Sequence, residues 1–299
     1  MTHLFAINPH AGYSDISEQL KSEISAVFDK KSEKYEVYLT LGSSKDREFI
    51  QNRLKKGDTV RIYACGGDGT VHDIVNAIYG FENASFAVIP CGTGNDYVKS
   101  IGGYNNLREL VEYGTEIYAD LMKVNGILCM NITSMGLDAD VNVNTMKHKK
   151  NPIFKGIAYY LGVLESILGK LGHKVTVKIN DYDRFTTEIL MLAVAKGHYY
   201  GKTFKAAPLA DVADGKIDVC IVHKIPFSRI VKLLPIYQKG NHVNNAKVAD
   251  VISYQKAEKI NITCEHALSV SIDGEMYQEK NIEISVMPKA IKLFSLKNK

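Results

Sequence analysis

The sequence has no run of about 18 consecutive apolar residues, the length that a membrane-spanning helix requires, so no transmembrane helix is expected. Its first residues, MTHLFAINPHAG, lack the basic head and apolar stretch of a signal peptide and are typical of a short strand and a loop. Both absences favour a cytoplasmic protein. Any membrane contact is then expected to be peripheral, transient and at the inner membrane surface.

Cysteine is scarce and scattered. The five cysteines form no C-x-x-C pair and have no histidine at metal-binding spacing; they are Cys65, Cys91, Cys129, Cys220 and Cys264. A structural zinc site is therefore not expected, and the odd count argues against a full set of disulfides. Reduced and mostly buried thiols are the expected state.

The sequence also lacks repeats, low-complexity tracts and a Pro/Ser-rich linker. Its length of 299 residues nevertheless favours two domains of about 150 residues each. In residues 1–125 the strand-like segments LFAIN, YEVYLT, TVRIYAC and SFAVIP alternate with helical periodicity. Strands joined by crossover helices form a parallel sheet covered on both faces. We therefore predict an α/β domain with a Rossmann-like parallel sheet over residues 1–125.

Residues 126–285 have a different texture, with many strand-like segments separated by turn residues. This pattern predicts a β-rich second domain, a β-sandwich, interrupted by helices around 152–171 and 227–239. The last strand, AIKLFSL, lies in residues 286–299 and could pair in either domain. Because no linker separates the two domains, we expect them to pack closely.

The segment GGDGT, residues 66–70, follows an apolar strand and precedes an amphipathic helix. Its glycines either allow a sharp turn or let phosphate oxygens approach backbone N–H groups at the start of the helix. Asp68 would repel a bare phosphate, so its presence favours a divalent cation between carboxylate and phosphate. Thr70 could cap the helix, bind a phosphate, or do both. The loop is neither a Walker A motif nor a G-x-G-x-x-G fingerprint.

A second loop of the same kind follows the next strand. PCGTGNDY, residues 90–97, places Gly92, Thr93, Gly94, Asn95 and Asp96 before a helix. Ligands of open α/β sheets bind at the carboxyl ends of the strands. Two glycine-rich loops with aspartates at neighbouring strand ends therefore predict a crevice for a metal-bound nucleotide.

Six segments together resemble the diacylglycerol kinase catalytic family, in its bacterial soluble lipid kinase branch, which is related to sphingosine and ceramide kinases. They are NPHAG (8–12), GGDGTVHDIVNAI (66–78), PCGTGNDY (90–97), NITSMGLDADV (131–141), DGKIDV (214–219) and SIDGEMY (271–277). GGDGT alone is shared with NAD kinases and phosphofructokinases. Its combination with GTGND and the late DGE is specific, and the likeness spans nearly the whole chain.

The resemblance implies a nucleotide domain, a β-sandwich lipid domain and an active site in the cleft between them. It implies contacts to ATP from Asn8, Thr40, Gly66, Gly67, Asp68, Gly69, Thr70, Val71, His72, Gly92, Thr93 and Asn95. It also matches Asp68, Asp96 and Asp120 to the acidic positions that organise catalytic magnesium. This chain has Asp73 where the family usually has glutamate, which weakens any role assigned to that position.

The segment VSIDGEMY contains a candidate base for phosphoryl transfer to an alcohol. Asp273 and Gly274 are also an excellent hairpin turn, which is the simpler interpretation from these residues alone. By resemblance, the aspartate of D-G-E is the proton acceptor, and Glu275 is a supporting carboxylate.

A second metal site is implied by the resemblance alone. The segment PLADVADGKIDV could form a simple surface hairpin. The bacterial members bind a structural magnesium here, and the matching positions are Asp211, Asp214 and Lys216, the last through its carbonyl oxygen.

The segment MKHKKNP, residues 146–152, offers a surface for a membrane. It carries Lys147, Lys149 and Lys150 next to apolar helical positions, and is either a solvated basic loop before a core helix or a membrane-facing segment. Each lysine near an anionic surface contributes about 1 kcal/mol, so three would give reversible docking. The formal net charge of +4 permits this attraction and does not indicate nucleic-acid binding.

The sequence thus predicts an ATP- and magnesium-dependent lipid kinase that phosphorylates a hydroxyl of a neutral lipid, with diacylglycerol converted to phosphatidic acid as the leading case. The alternatives are an NAD kinase-like enzyme with a soluble substrate, a kinase of sphingoid or other lipids, and a non-catalytic lipid-binding module. The four aspartates Asp68, Asp96, Asp120 and Asp273 argue against the last. A homodimer formed through a sheet edge is an open possibility.

Overall fold

Residues 1–31, 33–149, 165, 172–181 and 184–296 are described by the computed structural model. The chain forms two compact units. The first consists of Met1–Leu121, Val212–Asp214 and Met287–Lys299, and the second consists of Met122–Asp211 and Gly215–Val286. Among these described residues, no helix is both long enough and apolar enough to cross a membrane.

The first unit alternates strands and helices as the sequence predicts. Its elements are β1 (Thr2–Ile7), α1 (Ser17–Phe28), β2 (Lys34–Leu39), α2 (Ser44–Leu54), β3 (Val60–Gly66), α3 (Asp68–Ile78), β4 (Ala84–Pro90), a 3-10 turn (Val98–Ser100) and α4 (Leu107–Tyr113). Strand β5 (Thr115–Val124) follows and ends in the second unit. The long last strand β13 (Glu275–Ser295) belongs to the first unit from Met287 onward.

The sheet of the first unit is parallel across β2, β1, β3 and β4, in that order. Leu293 of β13 pairs in parallel with Phe86 of β4, so the terminal strand joins this sheet. Strands β1, β3 and β4 are almost wholly buried because helices cover them, as expected for crossover connections. One apolar cluster holds Phe5, Leu20, Phe28 and Tyr63 of this unit.

The second unit is mainly antiparallel. Its elements are β6 (Ile127–Cys129), β7 (Ile132–Gly136), α5 (Leu137–Lys149), β8 (His173–Ile179), β9 (Phe185–Ala195), β10 (Ile217–His223), α6 (Phe227–Gln238), β11 (Ile252–Ala257), β12 (Lys259–Ile272) and the first part of β13. Strands β9 and β12 each pair with both β7 and β8. Because each of these strands has two partners, the antiparallel strands enclose a core that includes Val177, Leu192, Val219 and Ile262.

Several elements differ from the sequence-based expectation. Strands β5 and β11 and helix α5 were not predicted, and the two segments expected at 259–272 are one strand with an irregular register between Thr263 and Leu268. One of the two interpretations of residues 146–152 was a solvated basic loop, and it was wrong for residues 146–149, because α5 continues to Lys149. The helix expected near 227–239 is confirmed as α6. Of the helix expected around 152–171, all except Glu165 lies outside the described residues.

Candidate functional site

Three loops leave the same edge of the parallel sheet, because β1, β3 and β4 are neighbours and run in one direction. Backbone hydrogen bonds join their first residues. Asn8 N–H donates to the Cys65 carbonyl, and Cys91 N–H donates to the Gly66 carbonyl, both at 2.9 Å. Thr40, at the end of β2, donates to the Ile7 carbonyl at 2.8 Å. The segments that the sequence marked for a nucleotide are therefore brought together.

Glycine is required where these loops touch. A Cβ atom on Gly92 would lie 2.3 Å from the Cα of Gly67, so the GGDGT and GTGND loops can approach only as glycines. Gly12 has φ +80°, and a Cβ there would lie 2.5 Å from the Cys91 carbonyl oxygen. Both contacts involve backbone atoms, which cannot rotate away as a side chain would.

Asp68 links two of the loops. It is the first residue of α3, where a negative side chain is favoured by the positive end of the helix. Its Oδ1 atom accepts hydrogen bonds from the backbone N–H groups of Asp96 at 2.8 Å and Tyr97 at 3.1 Å. One carboxylate oxygen therefore holds the second loop in place.

The second oxygen of Asp68 faces a space that it shares with Asp96. A Cβ atom on Gly94 would lie 3.0 Å from Asp68 Oδ2 and 3.5 Å from Asp96 Oδ2. The missing side chain of Gly94 thus leaves room next to two carboxylate oxygens. Asp96 is buried, and its Oδ1 accepts a hydrogen bond from Lys99 Nζ at 2.7 Å.

Lys99, which contacts Asp96, was not selected by the sequence analysis. The signal was present as the spacing of three residues between Asp96 and Lys99, which puts the two side chains next to each other in a helical turn.

The remaining GGDGT residues have distinct environments. Thr70 lies inside α3, which has no side-chain cap hydrogen bond, so the capping alternative for Thr70 was wrong. Its Oγ1 accepts a hydrogen bond from Asn8 Nδ2 at 3.0 Å. Val71 is 1% exposed and its N–H donates to the Gly67 carbonyl, which places it in the core of the unit. His72 Nε2 lies 3.2 Å from Asn76 Nδ2.

Asn95 shapes the second loop. It has φ +51°, and its side chain closes the turn by accepting from Gly92 N–H at 2.9 Å and donating to the Gly92 carbonyl at 2.8 Å. Asparagine tolerates the left-handed region better than most residues do. Thr93, inside this turn, is exposed.

A cavity of about 410 Å³ lies in the first unit beside these loops. Three residues that the resemblance assigned to ATP line it, namely Asn8, Thr40 and Thr70. The wall also contains Asp73 and residues that the sequence analysis did not select, namely Gly42, Ser43, Ser44, Asp46, Arg47, Ile50 and Ile74.

The wall formed by α2 could have been found in the sequence. Ser43 and Asp46 form a capping box, whose S-x-x-D pattern marks the start of a helix directly after β2. Asp46 also accepts hydrogen bonds from Leu41 N–H at 2.8 Å and the Tyr38 hydroxyl at 2.7 Å. Burial would raise the pKa of Asp46, but these donors outweigh it and lower the pKa. Asp46 therefore contributes a negative charge, held in a fixed position, to the wall of the cavity.

Asp120 has a different environment. It lies on β5, is 1% exposed, and its Oδ1 accepts a hydrogen bond from the Lys289 N–H at 2.8 Å. Its own N–H donates to the Val212 carbonyl at 2.7 Å. These bonds join three separate stretches of the first unit.

In the second unit, Asp273 and Gly274 form the hairpin between β12 and β13. Ile272 pairs with Glu275, and the two turn residues have φ +47° and +97°, as a two-residue type I′ turn requires. The simpler interpretation of the D-G pair is thus confirmed. Glu275 is exposed at the start of β13.

The Asp273 carboxylate also binds a second segment of the chain. Oδ2 accepts from Met130 N–H at 2.7 Å, and Oδ1 accepts from Asn131 N–H at 2.9 Å and Ile132 N–H at 3.1 Å. Cys129 Sγ donates to Oδ1 at 3.2 Å, and burial followed by the Asp273 charge raises the pKa of this thiol well above its usual value. These backbone donors hold the Asp273 carboxylate in a fixed position.

Of the residues implied for a structural magnesium, the Lys216 carbonyl already has a cationic partner. The ammonium group of Lys196, which is 1% exposed, donates a hydrogen bond to it at 2.7 Å. Among the residues that the structure describes, no group of three or more His, Cys, Asp or Glu side chains is arranged to hold a metal ion. A magnesium ion that also binds nucleotide phosphates needs only one or two carboxylates from the protein. The lack of a larger cluster among the described residues therefore argues only against a metal site built from protein side chains alone.

Two family models match the chain. The YegS C-terminal NAD kinase beta sandwich-like domain matches residues 131–295, more than half of the chain. The diacylglycerol kinase catalytic domain matches residues 2–124. The two matches correspond to the antiparallel and the parallel parts of the chain.

Relatives are similar to this chain over nearly its whole length. A protein of Staphylococcus haemolyticus (strain JCSC1435) named "Putative lipid kinase" is 27% identical over 296 residues, which cover 96% of this chain and 93% of the relative. One of the same name from Staphylococcus aureus (strain Mu3 / ATCC 700698) is 24% identical over 296 residues, with 96% and 94% covered.

Solved structures share the fold. A crystal structure described as a "putative diacylglycerol kinase" from Bacillus anthracis str. Sterne has a TM-score of 0.75 at 23% identity and covers 98% of this chain and 96% of that one. The NAD kinase from Archaeoglobus fulgidus in complex with ATP has a TM-score of 0.51 at 13% identity and covers 100% and 94%. With the two family matches, the chain belongs to the kinase family that joins a diacylglycerol kinase catalytic domain to a YegS C-terminal domain.

Proposed function

We propose that this kinase is ATP- and magnesium-dependent and phosphorylates a hydroxyl of a neutral lipid, with diacylglycerol as acceptor and phosphatidic acid as product. The observation that supports this best is the geometry of Asp68. One of its oxygens ties the two glycine loops together, and the other faces, with Asp96, the space next to Gly94. A purely structural turn does not require two carboxylates that converge on the same glycine.

The donor set fits magnesium. Asp68 Oδ2 and Asp96 Oδ2 both lie near the point that a Gly94 side chain would fill, and carboxylate oxygens are the ligands that Mg²⁺ prefers. When bound, the ion would neutralise phosphate charge. Lys99, 2.7 Å from Asp96, adds a fixed positive charge to the same group.

The nucleotide is proposed to lie along the loops of the first unit. The first N–H groups of α3 have no acceptor within the helix, and they follow Gly67, where no side chain blocks a phosphate. The cavity lined by Asn8, Thr40 and Thr70 is large enough for part of a nucleotide. A Cβ atom on Gly69 would meet nothing within 4 Å, so a phosphate can approach these N–H groups from that side.

Asp273 is proposed to accept the proton of the attacking hydroxyl. The lipid oxygen forms a bond to the γ-phosphorus as the bond from that phosphorus to the ADP oxygen breaks, and the hydroxyl proton passes to the carboxylate. Transition states of phosphoryl transfer are usually loose, with little bonding to the nucleophile, so a carboxylate that orients the hydroxyl and takes its proton late is adequate. The three N–H donors fix the carboxylate for this task.

The lipid is proposed to be collected through reversible membrane contact near residues 146–152. Of the three lysines there, Lys147 donates to Asn144 Oδ1 at 2.7 Å and lies 3.5 Å from a Glu165 oxygen, so part of its charge is compensated. Lys150 and the side chain of Lys149 lie outside the described residues. Vesicle flotation with phosphatidylglycerol-containing and neutral vesicles tests this contact, which should weaken as salt rises.

The test of the function uses γ-labelled ATP, magnesium and purified protein with a panel of diacylglycerol, ceramide, sphingosine and NAD. Label in the organic phase, and most in phosphatidic acid, is the expected result. Label in the aqueous phase as NADP would establish the NAD kinase alternative, and no transfer at all would contradict a catalytic role.

Two variants make this assay specific. Asp68→Asn should abolish most of the transfer, whereas Glu275→Gln, at the exposed position next to the hairpin, should reduce it far less. Equal activity of wild type and Asp68→Asn would show that a contaminating kinase produced the signal or that the glycine loops are not the nucleotide site.

A further inference from the structure

Lys196 is a lysine in the interior of the second unit. It directly follows β9, is 1% exposed, and donates from Nζ to the carbonyl oxygen of Lys216 at 2.7 Å. Lysine is almost never fully buried unless its charge is paired. A buried ammonium group at this position therefore has a role in the 211–216 loop that a surface lysine could not perform.

The oxygen that Lys196 binds is the one that the family resemblance assigns to a structural magnesium. A magnesium ion bound to this oxygen would lie about 2.1 Å from it, and hence within about 5 Å of the ammonium nitrogen. Two cations at that separation repel strongly inside a protein, where the effective dielectric constant is low. The residues present do not fit a magnesium ion at this carbonyl.

We propose that the Lys196 ammonium group is the resident cation of the 211–216 loop and that no metal ion is bound at the Lys216 carbonyl. The charge that a bound metal would supply comes from the chain itself. The loop is consequently formed whether or not divalent metal is present.

The same lysine is connected to the segment that holds Asp273. The backbone N–H of Lys196 donates to the Asn131 carbonyl at 2.8 Å, and Asn131 N–H donates to Asp273 Oδ1 at 2.9 Å. Asn131 Nδ2 also donates to the Tyr199 carbonyl at 3.0 Å. Lys196 thus fixes the loop through its side chain and the Asp273 segment through its backbone.

The first test measures metal binding without ATP or lipid, so its outcome is separate from that of the proposed kinase activity. EDTA-treated full-length protein is titrated with Mn²⁺, and free Mn²⁺ is followed by its EPR signal. Asp211→Asn and Asp214→Asn should bind as much Mn²⁺ as wild type. Any weak binding to the glycine loops is identified by its loss in Asp68→Asn. A wild-type site that Asp211→Asn or Asp214→Asn removes would overturn the proposal.

The second test measures thermal unfolding with EDTA and with excess MgCl₂. Lys196→Met removes the charge at similar length and leaves the Lys216 carbonyl without this donor, so the unfolding midpoint should fall by about 3–8 °C. Lys216→Met is the matched control, because it removes a half-exposed lysine side chain and keeps the carbonyl. Any rise of the wild-type midpoint with MgCl₂ that comes from the glycine loops should be lost in Asp68→Asn and kept in Asp214→Asn. An unchanged midpoint for Lys196→Met, or a rise with MgCl₂ that Asp214→Asn removes, would contradict the proposal.

Discussion

Asp68 accepts a hydrogen bond from the backbone N–H of Asp96 at 2.8 Å, although 28 residues separate them in the sequence. The side chain of one loop thus fixes the backbone of the other. Because only Oδ1 makes this contact, the two functions of Asp68 can be separated by substitution.

Asp68→Asn keeps an oxygen that can accept the Asp96 and Tyr97 N–H bonds but loses the charge and one ligand oxygen. We expect stability to fall by about 1 kcal/mol or less, mainly from the lost interaction with the start of α3. Turnover should fall on the order of 10²–10³-fold, as when one preorganised electrostatic group is lost. Steady-state kinetics and urea unfolding measure the two effects. Asp68→Ala, which breaks both hydrogen bonds, should cost a further ~1–3 kcal/mol.

The glycine loops provide a matched pair of substitutions. Gly92→Ala puts a Cβ 2.3 Å from the Gly67 Cα and must push the loops apart, so it should destabilise the first unit by about 1–3 kcal/mol. Gly69→Ala meets nothing within 4 Å and lies inside α3, so helix propensity should stabilise it by up to about 1 kcal/mol. Chemical unfolding of both variants checks these opposite signs.

Gly69→Ala also reports on the nucleotide. If phosphates approach the start of α3, the added methyl group should weaken ATP binding in calorimetry while the protein becomes more stable. Wild-type affinity in this variant would place the phosphates away from Gly69.

Asp273→Asn should affect both turnover and folding. An amide has one acceptor oxygen, whereas the carboxylate accepts from three backbone N–H groups through two, so at least one donor loses its partner. We expect a loss of about 1–3 kcal/mol in stability and a 10²–10⁴-fold loss in turnover.

Cys129→Ala separates the two effects, because it removes one donor to Asp273 and keeps the carboxylate. It should lower stability without the large loss of turnover. Both variants should also be assayed at low temperature, where both are folded. If Asp273→Asn then turned over as fast as Cys129→Ala, the role of Asp273 would be structural and not catalytic.

Much of the first unit could be predicted because crossover strands and helices have distinct periods, and because glycine loops at strand ends meet when the strands are parallel. The resemblance supplied residue types but not their partners. That Asp68 binds the Asp96 backbone depends on three-dimensional neighbours that single-sequence patterns do not contain, because 28 residues separate the two.

The second unit was harder for a physical reason. Long strands such as β12 change partners along their length, so their alternation of polar and apolar residues is interrupted and suggests two short strands. Strand β5 was missed because its first half is largely exposed and its second half mixes buried apolar residues with Asp120 and Lys123, so neither period dominates. Lys196 was not selected because nothing local distinguishes a buried lysine from an exposed one.

Burial of His3 predicts acid sensitivity of the first unit. His3 is 1% exposed, its ring packs on Phe28 and Tyr63, and Nδ1 lies 3.0 Å from the Tyr63 hydroxyl. Burial lowers its pKa to about 4, although Glu33 opposes the shift. The folded state therefore binds this proton less readily than the unfolded state, whose histidine pKa is about 6.5. Stability is then full above pH ~6.5 and falls as the pH drops toward 4, by roughly 3 kcal/mol for this group.

His3→Gln removes the titrating ring and keeps a polar group near the Tyr63 hydroxyl, so the fall in unfolding free energy between pH 7 and 4.5 should become shallower than in wild type. Tyr63→Phe is the control, because it removes the hydroxyl partner and keeps the buried imidazole; it should lower stability at all pH values and retain the acid slope. Urea unfolding at several pH values measures both. If the unfolding free energies of wild type and His3→Gln fell with pH at the same rate, His3 would have the same pKa in the folded and unfolded states. That outcome would contradict the burial of an unprotonated ring.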